Sequence, residues 1–377
     1  MSPIELRLHA ALEAETCPEL RASLLVELAA YWARAGETDR AERVRLDLRR
    51  EFGDYRSPRV SVLIIVLEAL QAYYCNLSPT ARDRMLRASL LSKGYRDPKL
   101  IALTSAWLAH IEFNGDRFDS MLSELLRATE ALKEVHVDRG FAPCRIALTL
   151  ADANLIAGLP VIAQAWYDAA RLEANVLGDH AAIGAMTYNR AALRVARARF
   201  DAVAGSDSGI DRSLLRVDVD SAVNYQSAAQ LRSLGHLLTT ARVSLCVLQG
   251  EFEEVESTIP QLLSLDDVPH RSLQRLLLEA DLALAQSKLG FLQEARKTLE
   301  SCVKSYADTT LIPTDDQCLI ASSVSEAARI CGMTDVHESW AAQLVGAVER
   351  HSELCAGLVE KLSSFPLPSR DTVRQRP

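Results

Sequence analysis

No apolar stretch in this sequence approaches the roughly 18 residues a membrane-spanning helix needs; the longest run, residues 62–67, is far too short. Nor is there a signal-peptide pattern at the start, because Glu5, Arg7, Glu13 and Glu15 interrupt any apolar core. A clustered positive face is also missing. The formal net charge is -8 and the two signs are interspersed, which argues against nucleic-acid or anionic-membrane binding. The simplest reading is a soluble cytoplasmic protein. No CxxC pair occurs among the eight cysteines; the nearest two, Cys318 and Cys331, are thirteen residues apart. They read as reduced, buried, structural residues rather than a metal or disulfide framework.

Catalytic signatures are equally absent. No GxSxG elbow, HExxH helix, GxGxxG loop, GxxxxGK[ST] phosphate loop or DxDxDG loop is present, so neither an enzyme nor a cofactor or metal site is expected. The acidic pairs Glu253-Glu254, Asp266-Asp267 and Asp315-Asp316 read as helix-edge residues. His136-Val137-Asp138 and His270 stand in inter-helix segments without neighbouring ligand types.

What the chain does have is size, with 377 residues of which 49% are hydrophobic and 24% charged, and an internal period. In residues 276–306 apolar side chains fall at steps of three and four, stop at Gly290 and resume from Leu292, the pattern of a helical hairpin. Gly290 has Ala283 seven residues before it and Ala295 five after. The same ruler fits Ala29, Gly36, Ala41; Ala69, Asn76, Ala81; Leu108, Gly115, Ser120; Ala151, Gly158, Ala163; Ala191, Ala198, Val203; Val243, Gly250, Val255; and Ser325, Gly332, His337.

Successive turn residues are 40, 39, 43, 40, 52, 40 and 42 apart, a period near 42 with one insertion. Ala or Ser fills eleven of the sixteen flanking positions, whereas their 84 of 377 residues would fill about four, so composition alone does not make the pattern. A small residue lets two helix backbones approach, and Gly or Asn accepts the left-handed conformation that ends a helix.

Small residue, seven positions, Gly, five positions, Ala resembles the tetratricopeptide-repeat superfamily, from about Leu20 to Leu362. Phe200 and Phe252 fall at that family's aromatic position, and residues 185–191, AMTYNRA, resemble its Trp-x-Asn-Leu-Gly opening with Asn189 at the Asn. The period exceeds the family's 34, and most repeats lack its opening Trp and closing Pro. Long, degenerate repeats of this kind are similar to the helical-repeat domains of maltose-activator-type bacterial regulators, although no phosphate loop or helix-turn-helix accompanies them.

The expected architecture is all-α: a right-handed solenoid of about eight antiparallel hairpins. Residues 1–19 form an N-terminal cap, 20–204 repeats one to five and 205–220 an inserted loop. Residues 221–364 form repeats six to eight with a C-terminal cap, and 365–377 a disordered tail.

The resemblance places function on the concave face, lined by the first helix of each repeat. Counting back from the turn residues selects Tyr73, Tyr74, Glu112, Phe113, Arg145, Asp152 and Tyr188, with Asn189 beside it, and also Lys288, Glu326 and Arg329. Tyr73, Tyr74 and Phe113 could instead pack between helices, and Arg145 and Asp152 could form an internal salt bridge. Trp32, Trp107 and Trp166 read as core. Two non-enzymatic functions fit: a scaffold binding a partner peptide or helix in an open groove, favoured first, or a ligand-sensing regulatory domain responding to a small-molecule effector. A deep pocket of convergent polar groups would distinguish the second from the first.

Overall fold

The computed structural model describes residues 1–52, 57–136, 139–206, 210–233, 235–264, 271–309 and 312–367. Among them every regular element is helical. The first elements are α1 (Pro3–Ala14), α2 (Pro18–Ala35), α3 (Thr38–Phe52), α4 (Pro58–Asn76), α5 (Thr80–Tyr95), α6 (Pro98–Phe113) and α7 (Phe118–Lys133). Then come α8 (Ala142–Ile156), α9 (Pro160–Leu177), α10 (His180–Ala204), a 3-10 turn (Arg212–Leu214) and α11 (Leu215–Ala228). The chain continues through α12 (Gly235–Gln249), α13 (Phe252–Ser264), α14 (Arg271–Lys288), α15 (Leu292–Ala307), α16 (Thr314–Ile330) and α17 (Thr334–Leu362). No helix among the described residues is long and apolar enough to cross a membrane.

Local chemistry sets these boundaries. Pro3, Pro18, Pro58, Pro98 and Pro160 occupy first helical positions, where the missing N–H costs nothing. Ser2 and Glu5 form a reciprocal capping box at α1, and the Asp97 and Asp179 carboxylates accept backbone N–H groups at α6 and α10. Gly36, Gly158, Gly250, Gly290 and Gly332 end their helices with φ between +71° and +85°. The flanking alanines Ala29, Ala41, Ala69, Ala81, Ala151, Ala163, Ala283 and Ala295 are all at most 1% exposed, as close helix packing requires.

Three expectations need correction. No turn exists at Ala198: α10 runs unbroken through it, because alanine is the best helix former and the left-handed cap arrives only at Gly205. In two other turns the left-handed residue is the neighbour of the expected one, Leu77 after Asn76 and Asp116 after Gly115. The expected loop 205–220 is shorter, since Leu215 and Val219 are buried against Ala191 and Val195 as the first turns of α11. Residues 368–377 of the expected tail, and also His270, Asp266-Asp267 and Val137-Asp138, lie outside the described residues.

Helices packed to their chain neighbours include α2 on α3, α4 on α5, α6 on α7, α8 on α9, α14 on α15 and α16 on α17. A second set of contacts joins α2, α4, α6, α8, α10, α12, α14 and α16 in succession. That row also turns back on itself, since α10 packs on both α2 and α16. A buried ion pair marks the first return, Arg34 Nη1 to Asp179 Oδ2 at 2.6 Å; beside the second, Arg199 of α10 pairs with Asp281 of α14 at 2.7 Å, and Ser323 of α16 donates to the same carboxylate at 2.8 Å. Between these elements lies a partly open cavity bordered by α4, α6, α8, α10, α12 and α14 and by the turn after α2.

Candidate functional site

At the C-terminal end of α4, Tyr73 and Tyr74 point inward because the helix buries Leu67, Ala69 and Leu70 on its other contacts. The two rings meet edge to face at 5.1 Å, and Tyr73 also packs on His110 of α6 at 5.4 Å. Arg145 of α8 lies flat over Trp107, its guanidinium carbon 4.0 Å from the ring centroid, and donates from Nη2 to Tyr74 Oη at 3.3 Å. Trp107 is in turn stacked on Phe141 at 5.5 Å.

These side chains form one wall of a cavity of about 370 Å³, within the range of small-molecule sites. Tyr188 and Asn189 of α10 close a second side, and Arg232, His236 and Gln274 a third. No aspartate or glutamate is among the described lining residues.

Asp152 sits just behind the wall, fully buried. It accepts from Tyr167 Oη at 2.7 Å and from Asn189 Nδ2 at 2.7 Å, which fixes the orientation of the Asn189 amide. Burial raises its pKa to about 7, a rise that those hydrogen bonds and the Arg145 charge only partly offset. Burial likewise raises the Tyr73 and Tyr188 phenols and, with help from Arg145, lowers His110 well below the ordinary imidazole range. His236 is lowered by burial too, so both histidines are neutral donors at neutral pH. His110 Nδ1 and His236 Nε2 are buried without a hydrogen-bond partner, as is Arg145 Nε.

Of the residues selected from sequence, Tyr73, Tyr74, Arg145, Tyr188 and Asn189 therefore share one cavity, with Asp152 supporting it. Arg145 and Asp152 do not form the internal salt bridge that their spacing allowed. Glu112 and Phe113 lie elsewhere. The buried Glu112 would be raised by burial, but hydrogen bonds from Arg82 and Arg117 hold it below the usual range, and Phe113 packs on Phe118 at 6.1 Å. Lys288, Glu326 and Arg329 form a partly exposed ion network between α14 and α16, with Lys288 Nζ 2.7 Å from Glu326.

His110, Asn114, Arg232, His236 and Gln274 were not selected by counting from turns. His110 carried a signal nonetheless, an ionisable residue set within the apolar stretch of α6. Among the described residues one trio, Cys246, Glu251 and Glu254, lies close enough to share a metal ion. Arg216 and Arg242 already pair with the two glutamates at 2.6 and 2.8 Å, so the carboxylates have their counter-charges. No protein-family model matches the chain, and no curated protein matches it.

Proposed function

We propose that this protein is a non-enzymatic, ligand-sensing regulatory domain that binds a small-molecule effector in the cavity between α4, α6, α8 and α10. The observation that carries this reading is the convergence of Tyr73, Tyr74, His110, Arg145, Tyr188 and Asn189 on one partly open cavity. Buried donors without partners are costly unless a ligand completes them. The succession of helix pairs with glycine turns supports a right-handed, TPR-like solenoid curled tightly enough to bring its first helices around that space. A scaffold with an open groove draws its support instead from apolar residues exposed on the outer helices, Val161 and Val176 of α9 at 84% and 61%.

The test is a thermal-shift screen of small polar metabolites on wild type and on Ala185→Trp, which fills the cavity from α10. Compounds that raise the Tm of wild type and not of the variant are expected. A screen in which no compound separates the two proteins would sink the ligand-sensing reading.

A further inference from the structure

Three arginines of the described chain are buried: Arg34, Arg145 and Arg199. Two of them are neutralised. Arg34 pairs with Asp179, and Arg199 grips both oxygens of Asp281 at 2.7 and 2.9 Å. Arg145, only 1% exposed, has no carboxylate of the described residues within 4.0 Å. Its one hydrogen bond goes to a neutral phenol, its face is spent on Trp107, and its Nε has no partner. Asp152, two helical turns along the same helix, has both oxygens engaged by Tyr167 and Asn189.

Resting on the ligand-sensing reading above, we propose that the effector is a small organic anion whose carboxylate or phosphate oxygens are received by Arg145. A buried guanidinium without a counter-ion is among the more costly arrangements a fold can hold, and an oxyanion entering the cavity supplies what Asp179 and Asp281 supply to the other two. The surroundings agree on sign. Among the described residues the wall contains no acid; it adds Arg232, and His110 and His236, each with a buried ring nitrogen that has no hydrogen-bond partner, also line it. His236 lies in the first turn of α12, whose N–H groups and dipole also favour negative charge. The body of the ligand is apolar or aromatic, because Tyr73, Tyr188, Leu77 and Leu237 make up much of the remaining wall.

The full chain is tested by thermal shift with millimolar benzoate, phenyl phosphate and inorganic phosphate, against neutral benzamide. Benzoate or phenyl phosphate is expected to raise the Tm more than benzamide does, and whichever of the two works identifies the head group. The rise is lost in Arg145→Met and in Ala185→Trp, the second variant separating cavity binding from general salt effects. Unliganded Arg145→Met is expected to melt at or a few degrees above wild type, because it removes an uncompensated charge.

Equal shifts with benzamide, or anion binding retained in Arg145→Met, overturn the anion assignment and leave the ligand-sensing reading standing. A fall of Tm by several degrees in unliganded Arg145→Met would make Arg145 a structural residue and likewise overturn it. No shift with any probe overturns the anion assignment and leaves the ligand-sensing reading to the metabolite screen.

Discussion

Asp152 illustrates how position alone resets the chemistry of a side chain. Its carboxyl rises from 3.8 to about 7 because burial penalises the anion more than Tyr167, Asn189 and Arg145 favour it. The folded pKa lies above the unfolded one. Stability from this group is therefore fully present below about pH 4 and lost as pH rises through about 7. Between about pH 5 and about pH 8 the loss amounts to roughly 2–3 kcal/mol. Asp152→Asn removes that component, so its Tm is expected to fall less steeply than that of wild type over this window. Parallel Tm-versus-pH curves for the two proteins would contradict the assignment.

Asp179 gives a second prediction at this scale, because one carboxylate both caps α10 through the Ala182 N–H at 2.9 Å and neutralises Arg34. Asp179→Ala loses the cap and strands a buried charge, an expected cost of about 4 kcal/mol measured by urea denaturation.

Among elements, the α2–α3 turn separates two demands on glycine. Gly36 has φ +84°, and a Cβ there would lie 2.5 Å from the backbone nitrogen of Ser233 and 2.8 Å from the Arg232 carbonyl carbon. Gly250 has φ +77° but its nearest such neighbour is the Phe252 ring at 3.9 Å. Gly250→Ala is expected to cost about 1 kcal/mol, the left-handed penalty alone. Gly36→Ala should cost clearly more, since the 232–233 segment must move away from α2, where the Arg232 N–H now donates to Ala35 O at 2.9 Å. Equal losses in chemical denaturation would refute the close approach.

The same elements show what a sequence can and cannot disclose. Helix ends were legible at Gly36, Gly158, Gly250, Gly290 and Gly332, where a glycine supplies the left-handed residue, and inner faces wherever small residues recurred; the caps Gly178 and Gly205 were missed. Ala198 fitted the spacing yet has no power to stop a helix, so the fifth turn was misplaced. Tyr188 was reached by counting from that nonexistent turn; it lines the cavity because α10 packs on α8. The pairing of Asp152 with Tyr167 was not legible, since it depends on how α8 and α9 rotate against each other. His236 and Gln274 were invisible for a related reason: they reach the cavity from segments far along the chain, through contacts that no local spacing encodes.

For the whole molecule, the returns of α10 onto α2 and α16 change the expected unfolding behaviour. An open repeat array gains stability from nearest neighbours and can fray from either end. A chain whose ends are tied to its middle loses that freedom. Urea unfolding is expected as one transition, with tryptophan fluorescence and far-ultraviolet circular dichroism coinciding. Asp281→Ala, which strands Arg199 and removes the acceptor of Ser323 Oγ, is expected to lower stability by about 3–5 kcal/mol and separate the two signals. Coincident curves in this variant would show that the α10–α14 joint does not couple the halves.

The uninterrupted course of α10 also has a mechanical meaning. Tyr188 on the cavity wall and Arg199 in the buried pair with Asp281 lie about 16 Å apart on a single rod, at 1.5 Å per residue. A hinge at Ala198 would have absorbed any displacement between them. Without one, a tilt of a few degrees at Tyr188 would carry to Arg199 as a sideways displacement against α14 and α16. The missing turn thus leaves α10 as one continuous rod joining α2 at one end to α16 at the other.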